Sequence, residues 1–205
     1  NPLARGVTYG PAPLNSPPGT RTGAQQRTWY LKNYVEPELG IPVESQNIQT
    51  LAIANTFTYG GIGGFHATTT GGSPQGPLVS IHELGHSLGL IADDYPYIER
   101  NVWRGCWTGG EPDSFTHTIY TSTEKMIADQ HKWWRWIGED SASSGSSIGL
   151  YEGGNTWPCG IRRASEYSMM RWTGYHFDVV QREQMTIRIA GMRDANRMPL
   201  DHTSE

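Results

Sequence analysis

The sequence predicts an α+β fold, and three observations carry that prediction. Four segments read as helices, one short apolar run reads as a strand, and Gly- and Pro-rich connections separate them, with 25 Gly and 13 Pro among 205 residues. No internal repeat is visible. Residues 1–23 hold five prolines and no periodic apolar pattern, so they read as an extended N-terminal arm. Residues 24–205 then form one domain, a length that buries a core without metals or many disulfides.

The elements follow in order. From Ala24 to Glu36 the composition turns helical, with Trp29, Leu31 and Val35 as candidate buried residues, and Pro37 and Gly40 end the helix. Thr50 to Asn55 is a short apolar run that fits a buried strand. Tyr59 to Phe65 follows, with four glycines at residues 60–64. Such a stretch is either a flexible loop or a backbone that something approaches closely. A peptide substrate pairing with an edge strand is one such partner, with Gly61 and Gly63 as the candidate positions. Gly76-Pro77 introduces a strong helix from about Leu78 to Ile91, with Gly89 near its end.

Beyond it no sheet character is evident. Residues 96–120 read as loop. Thr121 and Glu124 have the spacing of a capping box and open a helix through Ile137, with Ile127, Trp134 and Ile137 on its buried side. The Trp133, Trp134, Trp136 cluster reads as core. Residues 139–156 are Ser- and Gly-rich loop. A last helix spans about Phe177 to Ile189, with Val180, Met185 and Ile189 at core-compatible spacing. The tail from Arg193 is polar.

Charge excludes some partners. The formal net charge is −4 and Lys and Arg are scattered apart from Arg162-Arg163, so no nucleic-acid partner is expected. No apolar stretch approaches the ~20 residues of a membrane helix. The chain starts at Asn1 with no signal peptide in view, consistent with a removed leader or pro-segment or with trimming. Two cysteines far apart, Cys106 and Cys159, fit one disulfide formed in an oxidising, extracellular compartment; the alternative is two buried thiols.

The chemistry concentrates in Ser80-Ile81-His82-Glu83-Leu84-Gly85-His86-Ser87-Leu88-Gly89, which contains H-E-x-x-H. Histidines four apart lie one turn apart on one helix face, so their imidazoles can converge on one Zn²⁺. Glu83 sits one residue round from His82, beside the metal rather than facing it, where a general base takes a proton from water. Ile81, Leu84 and Leu88 are expected to give this helix its buried face. The bland reading, two solvated histidines on an ordinary helix, leaves Gly85 and Gly89 unexplained. Zinc needs a third protein ligand and keeps a fourth position for water.

With these residues in view, the sequence resembles the metzincin clan of zinc peptidases, and within it the bacterial IgA-peptidase family. Gly89 matches the metzincin glycine that ends the helix and turns the chain back under the metal. Ala92 stands where metzincins place a third His, and Asp93-Asp94-Tyr95 follows. The resemblance extends upstream to Ala54-Asn55 with Tyr59-Gly60-Gly61-Ile62-Gly63-Gly64. Downstream it extends to Leu150-Tyr151-Glu152-Gly153-Gly154, to Ser168-Met169-Met170-Arg171 as a Met-turn, and to Val180-Gln181-Arg182-Glu183. It covers roughly residues 50–95 and 148–190.

The resemblance implies His82, His86 and Asp93 as zinc ligands and Glu83 as base. Two departures, a shifted turn glycine and Asp94 in place of Glu, keep Asp94 as the alternative ligand. Met170 is favoured over Met169 as the hydrophobic floor under the ligands, and Tyr175 is the nearest downstream candidate for an oxyanion donor. The implied fold is a metzincin-like pair of lobes with a cleft between them. The N-terminal lobe, to about residue 93, is a small twisted mixed sheet backed by the first helix and the metal helix. The C-terminal lobe, from about residue 94, is loop-rich with few helices.

The functional expectation is a secreted zinc metalloendopeptidase acting on a polypeptide substrate. Acidic residues in loops at 93–99 and 111–113 leave structural Ca²⁺ open as a second metal, although no recognisable calcium-loop spacing is present. Two alternatives stand beside it: a zinc-bound module that grips peptide or glycan without catalysis, and a zinc exopeptidase or amidohydrolase. An exopeptidase needs a charged stop, for which Arg162-Arg163 is the candidate, against the reading of a solvated surface pair.

Overall fold

The chain's computed structural model describes residues 31–40, 49–63 and 66–190, His66 by its backbone alone. The described residues fall into two compact units, one ending at Leu88 and the next beginning at Gly89. The N-terminal arm, Trp29 with the start of the first predicted helix, and the tail from Arg193 lie outside the described residues.

In the first unit a π-helical turn, Leu31–Val35, runs into α1, Glu36–Leu39. The helix passes through Pro37 instead of stopping there. Proline lacks an N–H, but in a first turn that N–H has no intrahelical acceptor, so nothing is lost. Gly40 does the stopping: its φ of 65° lets its N–H reach the Glu36 carbonyl. No residue of this segment is buried, so Leu31 and Val35 are half-covered and not core.

β1, Thr50–Ala54, pairs in parallel with β2, His66–Thr70, in a register running from Thr50–His66 to Ala54–Thr70. Ile62 bridges Thr68 antiparallel through hydrogen bonds of 3.1 and 2.9 Å, which makes the small sheet mixed. β2 is the inner strand, with Ala67, Thr68, Thr69 and Thr70 buried. β1 is half-buried and not buried as expected, with Ile53 66 % exposed. Successive side chains alternate faces, and only one face of this strand is covered.

α2, Gly76–Gly89, starts and ends two residues before the predicted span. Gly76 carries no side chain because a Cβ there would run into the Thr70 carbonyl oxygen. The expected apolar face is corrected. Ile81 is exposed and Leu84 and Leu88 are half-buried, whereas Val79, His82, Glu83, Gly85 and Gly89 are buried. The covered stripe is the one that carries the motif.

The second unit contains a sheet that the sequence does not announce. β3, His117–Thr118, and β4, Tyr151–Gly154, flank β5, Trp157–Arg163, all antiparallel. Pro158 and the left-handed Gly153 and Gly160 interrupt any apolar alternation, and a register shift breaks the ladder between Glu152 and Gly154. Cys106 and Cys159 form a disulfide, and beside it the Trp107 N–H donates to the Cys159 carbonyl at 2.8 Å. The close contact leaves no room for a Cβ at Gly160, which would meet the Trp107 backbone.

The predicted helix from Thr121 to Ile137 shrinks to α3, Thr123–Ala128. Its cap is Ser122, whose Oγ accepts from the Lys125 N–H at 3.2 Å, and not Thr121. Gln130 and Lys132 adopt positive φ, which ends the helix before a 3-10 turn at Trp134–Trp136. Ile127 is exposed, and Trp134 and Ile137 are only partly covered. The buried core is Met126, Trp133, Trp136, Ile148, Ala164 and Val180.

α4, Val179–Ile189, is opened by Asp178, which makes a capping box with Gln181. Val180 and Ile187 are buried, Met185 is half-buried, and Ile189 is 66 % exposed, contrary to its expected core place. Burial passes instead to Gln181 and Glu183, the latter accepting from Trp136 Nε1 at 2.7 Å. Among the described residues, no helix is long and apolar enough to cross a membrane.

Candidate metal centre

α2 presents His82 and His86 one turn apart, their ring centroids 4.9 Å apart and their planes near perpendicular. His82 and Glu83 are each 7 % exposed, so the pair's chemistry is set in a largely covered environment. The segment Gly61-Ile62-Gly63 lies directly on this stripe. A Cβ at Gly61 would meet Glu83 and Val79, and a Cβ at Gly63 would meet the His86 ring. The close approach that these glycines permit is to the helix itself.

Past the helix the turn differs from the expected one. Gly89 is not in the left-handed region; Leu90 is, at φ 51°. Gly89 is needed for space, because a Cβ there would lie 2.8 Å from Ile91 Cδ1 and 2.9 Å from Met185 Cγ. Asp93 comes next, and the structure brings it to the histidines: one ligand atom each from His82, His86 and Asp93 lie within 4.8 Å of one another. The Asp93 carbonyl accepts from the Asn155 N–H at 2.7 Å, and the Tyr97 N–H donates to the Thr156 carbonyl at 2.9 Å, which pins this segment along residues 155–156. Tyr95 hydrogen-bonds Asp93; burial and that carboxylate push the phenol's pKa up.

Asp94 is placed differently. It is 1 % exposed, and its Oδ2 accepts from Ser168 Oγ at 2.5 Å and from Gln181 Nε2 at 2.7 Å. Gln181 Nε2 also donates to Ser168 Oγ at 2.9 Å. The Asp94 N–H donates to the Met170 carbonyl at 2.9 Å. Asp94 Oδ1 lies 3.2 Å from His117 Nε2, yet that nitrogen already accepts from the Asn155 N–H at 3.0 Å, so the oxygen receives no hydrogen bond. Asp94 is therefore a hub that fastens the turn at residues 168–171 and α4 to the residue beside Asp93. Sequence reasoning missed Ser168 and Gln181 in this role. The signal available was the Asp178–Gln181 capping spacing.

Met169 and Met170 are both buried. Tyr175 stacks on Tyr167, with ring centroids 5.1 Å apart and planes 12° from parallel. Arg162 pairs with Glu152 at 2.7 Å. Arg163 is buried and donates to the carbonyls of Glu152, Gly153 and Glu166, so the two arginines are not a solvated surface pair. The acidic loops are likewise engaged: Glu99 pairs with Arg171, and Glu111 with His131 and Lys132. Among the described residues only His82, His86 and Asp93 form a group of His, Cys, Asp or Glu side chains suited to an ion.

Residues 42–142 match the family model of IgA Peptidase M64. The matched stretch is 101 of the chain's 205 residues. The M64 segment takes in β1, β2, α2, Asp93 and Asp94. Ser168, Met170 and α4, where the resemblance read from sequence continues, lie beyond it. The match is to a peptidase family and supports a metallopeptidase, which implies a metal and a polypeptide substrate. No curated protein matches the chain.

Proposed function

We propose that the chain is a secreted zinc-dependent endopeptidase in which His82, His86 and Asp93 hold the ion and Glu83 is the general base. The observation that carries the reading is the convergence of those three donors within 4.8 Å, on and just after the helix that presents Glu83. Two imidazoles and one carboxylate suit a zinc site that keeps a position for water. The engagement of Asp94 with Ser168 and Gln181 favours Asp93 over Asp94 as the third ligand.

A zinc ion held there supplies a Lewis acid that acidifies water and polarises a carbonyl. Glu83 takes the proton from the attacking water and passes it to the leaving amine. Met170 gives the ligands an apolar floor, and Tyr175 is the candidate donor to the developing oxyanion. Gly61 and Gly63 flank Ile62, whose N–H and C=O both bond Thr68. Neighbouring residues in such a pair aim their polar groups the other way, which offers an edge to an extended substrate backbone. An exopeptidase gains no terminal stop from Arg162 and Arg163, which are tied to Glu152, Gly153 and Glu166. The Cys106–Cys159 disulfide supports secretion into an oxidising compartment.

The test is zinc content together with cleavage of denatured casein, for wild type and for Glu83→Ala. The expected result is about one zinc per chain in both proteins, internal fragments from wild type alone, and inhibition by a chelator. Retained cleavage by zinc-loaded Glu83→Ala would remove Glu83 from its role, and absence of bound zinc would overturn the reading.

A further inference from the structure

Glycine at positions 61 and 63 is not explained by turn geometry. Neither residue is among the chain's positive-φ glycines, so alanine could adopt either backbone. What excludes a side chain is space, and the two positions run out of it against different groups. A Cβ on Gly61 would lie closer than 3.0 Å to Glu83 Oε1, 2.8 Å from Glu83 Cγ and 2.5 Å from Val79 Cγ1. A Cβ on Gly63 would lie 2.6 Å from His86 Cβ and 2.7 Å from His86 Cγ, with Cδ2 also in conflict.

We infer that Gly61 and Gly63 are positioning residues: the backbone of this segment is the surface that sets the Glu83 carboxylate and the His86 imidazole. The inference rests on the peptidase reading above. The segment is suited to the task because Ile62, between the two glycines, is fixed to Thr68 of β2 by two backbone hydrogen bonds. It cannot swing away from α2 without breaking them.

The nature of each conflict makes the two positions separable. The Glu83 carboxylate is the free end of a flexible side chain, so turning it aside relieves that part of the conflict at position 61, and a small shift of Val79 Cγ1 must relieve the rest. The base is displaced while the fold and the histidines stay. At position 63 the conflict includes His86 Cβ, which is fixed to the helix backbone, so turning the ring does not relieve it. The helix or the segment must shift, and the ligand shifts with it.

The experiment measures zinc affinity by chelator competition, and kcat, KM and the pH–rate profile on denatured casein, for wild type, Gly61→Ala, Gly63→Ala and Glu83→Ala. Gly61→Ala is expected to keep wild-type zinc affinity and KM, to lose about 10²-fold in kcat, and to shift the acidic limb of the profile, as a misplaced base does. Gly63→Ala is expected to lose about 10–100-fold in zinc affinity. If Gly61→Ala alone fails to fold, Gly61→Ala with Val79→Ala removes the second conflict and leaves only the one with Glu83.

A wild-type kcat and pH profile in either Gly61→Ala protein would overturn the inference, as would wild-type zinc affinity in Gly63→Ala. Wild-type protein that binds zinc but cleaves nothing would sink the peptidase reading while the zinc affinity of Gly63→Ala still decides the claim about His86. Wild-type protein that binds no zinc would overturn both.

Discussion

α2 and α4 both bury polar side chains, and they do so for different reasons. On α2 the buried polar residues are His82 and Glu83, and Gly61 and Gly63 pack against the stripe they form. On α4 they are Gln181 and Glu183, each bonded to a named partner: Gln181 to Asp94 and Ser168, Glu183 to Trp136. A buried polar group is expensive unless its hydrogen bonds are made. α4 meets that condition with other side chains and so acts as a clamp. α2 aims two imidazoles and, with Asp93, a carboxylate at one point, an arrangement that suits a cation. The lesson is that polar residues are buried on these two helices to different ends, on α4 to join named side chains and on α2 around a point that suits a cation.

The largest effect expected from breaking this contrast is on α2. Glu83→Ala should lower kcat by about 10²–10⁴-fold, the usual share of a general base, with little change in the urea midpoint. Gln181→Met on α4 should do the reverse, lowering the midpoint by removing the donor to Asp94 and Ser168. Equal loss of stability in both variants, read by urea titration with the chelator present, would erase the distinction.

Next in size is a pH effect at the start of α4. Burial, and then the charge of Asp94, raise the Asp178 carboxyl from its ordinary 3.8 to about 7, against the pull of the Ser165 hydroxyl and the Gln181 and Val180 N–H groups. Between those values the folded chain holds a proton that the unfolded chain has released. Stability therefore falls as pH rises through that window, and above it the full difference, about 4 kcal/mol, weighs against the fold. Asp178→Asn keeps a good cap and can donate to Ser165 in place of accepting. The expectation is that the variant is more stable than wild type above pH 7 and that the difference vanishes near pH 4. Parallel stability curves for the two proteins across this range would refute the raised carboxyl.

Asp94→Ala comes third. It leaves the buried Ser168 hydroxyl without its acceptor and takes one of two acceptors from the Gln181 amide, and about 3 kcal/mol of stability should be lost in the chelated protein. Asp94→Asn, which retains an acceptor oxygen, should lose less. If the two substitutions are equally harmful, the hub acts through charge and not through its hydrogen bonds.

The same contrast explains what was legible. The H-E-x-x-H spacing lies within one turn of helix, so the sequence displays His82, Glu83 and His86 as neighbours. Asp93 entered as a ligand only through the family resemblance, with Asp94 beside it as the alternative, because two adjacent acids look alike in a sequence. The Asp94 hub joins residues from three distant places, 94, 168 and 181, and no local period reports it. The strands β4 and β5 were hidden because Gly153, Pro158 and Gly160 erase alternation. The cysteine pair was legible by count, because only one pairing exists. The error at Gly89 has a physical origin too. A glycine at a helix end suggests a left-handed cap, whereas here close packing against Ile91 and Met185 demands it and Leu90 takes the left-handed turn.

The smallest effect tests where local capping chemistry alone misled. The Thr121–Glu124 spacing looks like a capping box, but Ser122 accepts the Lys125 N–H and also donates to Glu124 at 2.6 Å. An N-cap side chain stabilises a helix by about 1 kcal/mol relative to alanine. Ser122→Ala should therefore lower stability by about that amount, and Thr121→Ala should leave it unchanged. α3 supplies Met126 to the core beside Trp133 and Trp136, so fraying its first turn loosens that packing and should appear as a small blue-shift loss in tryptophan fluorescence. A larger effect at Thr121 than at Ser122 would mean that the helix begins a residue earlier, with the cap that the sequence spacing suggests.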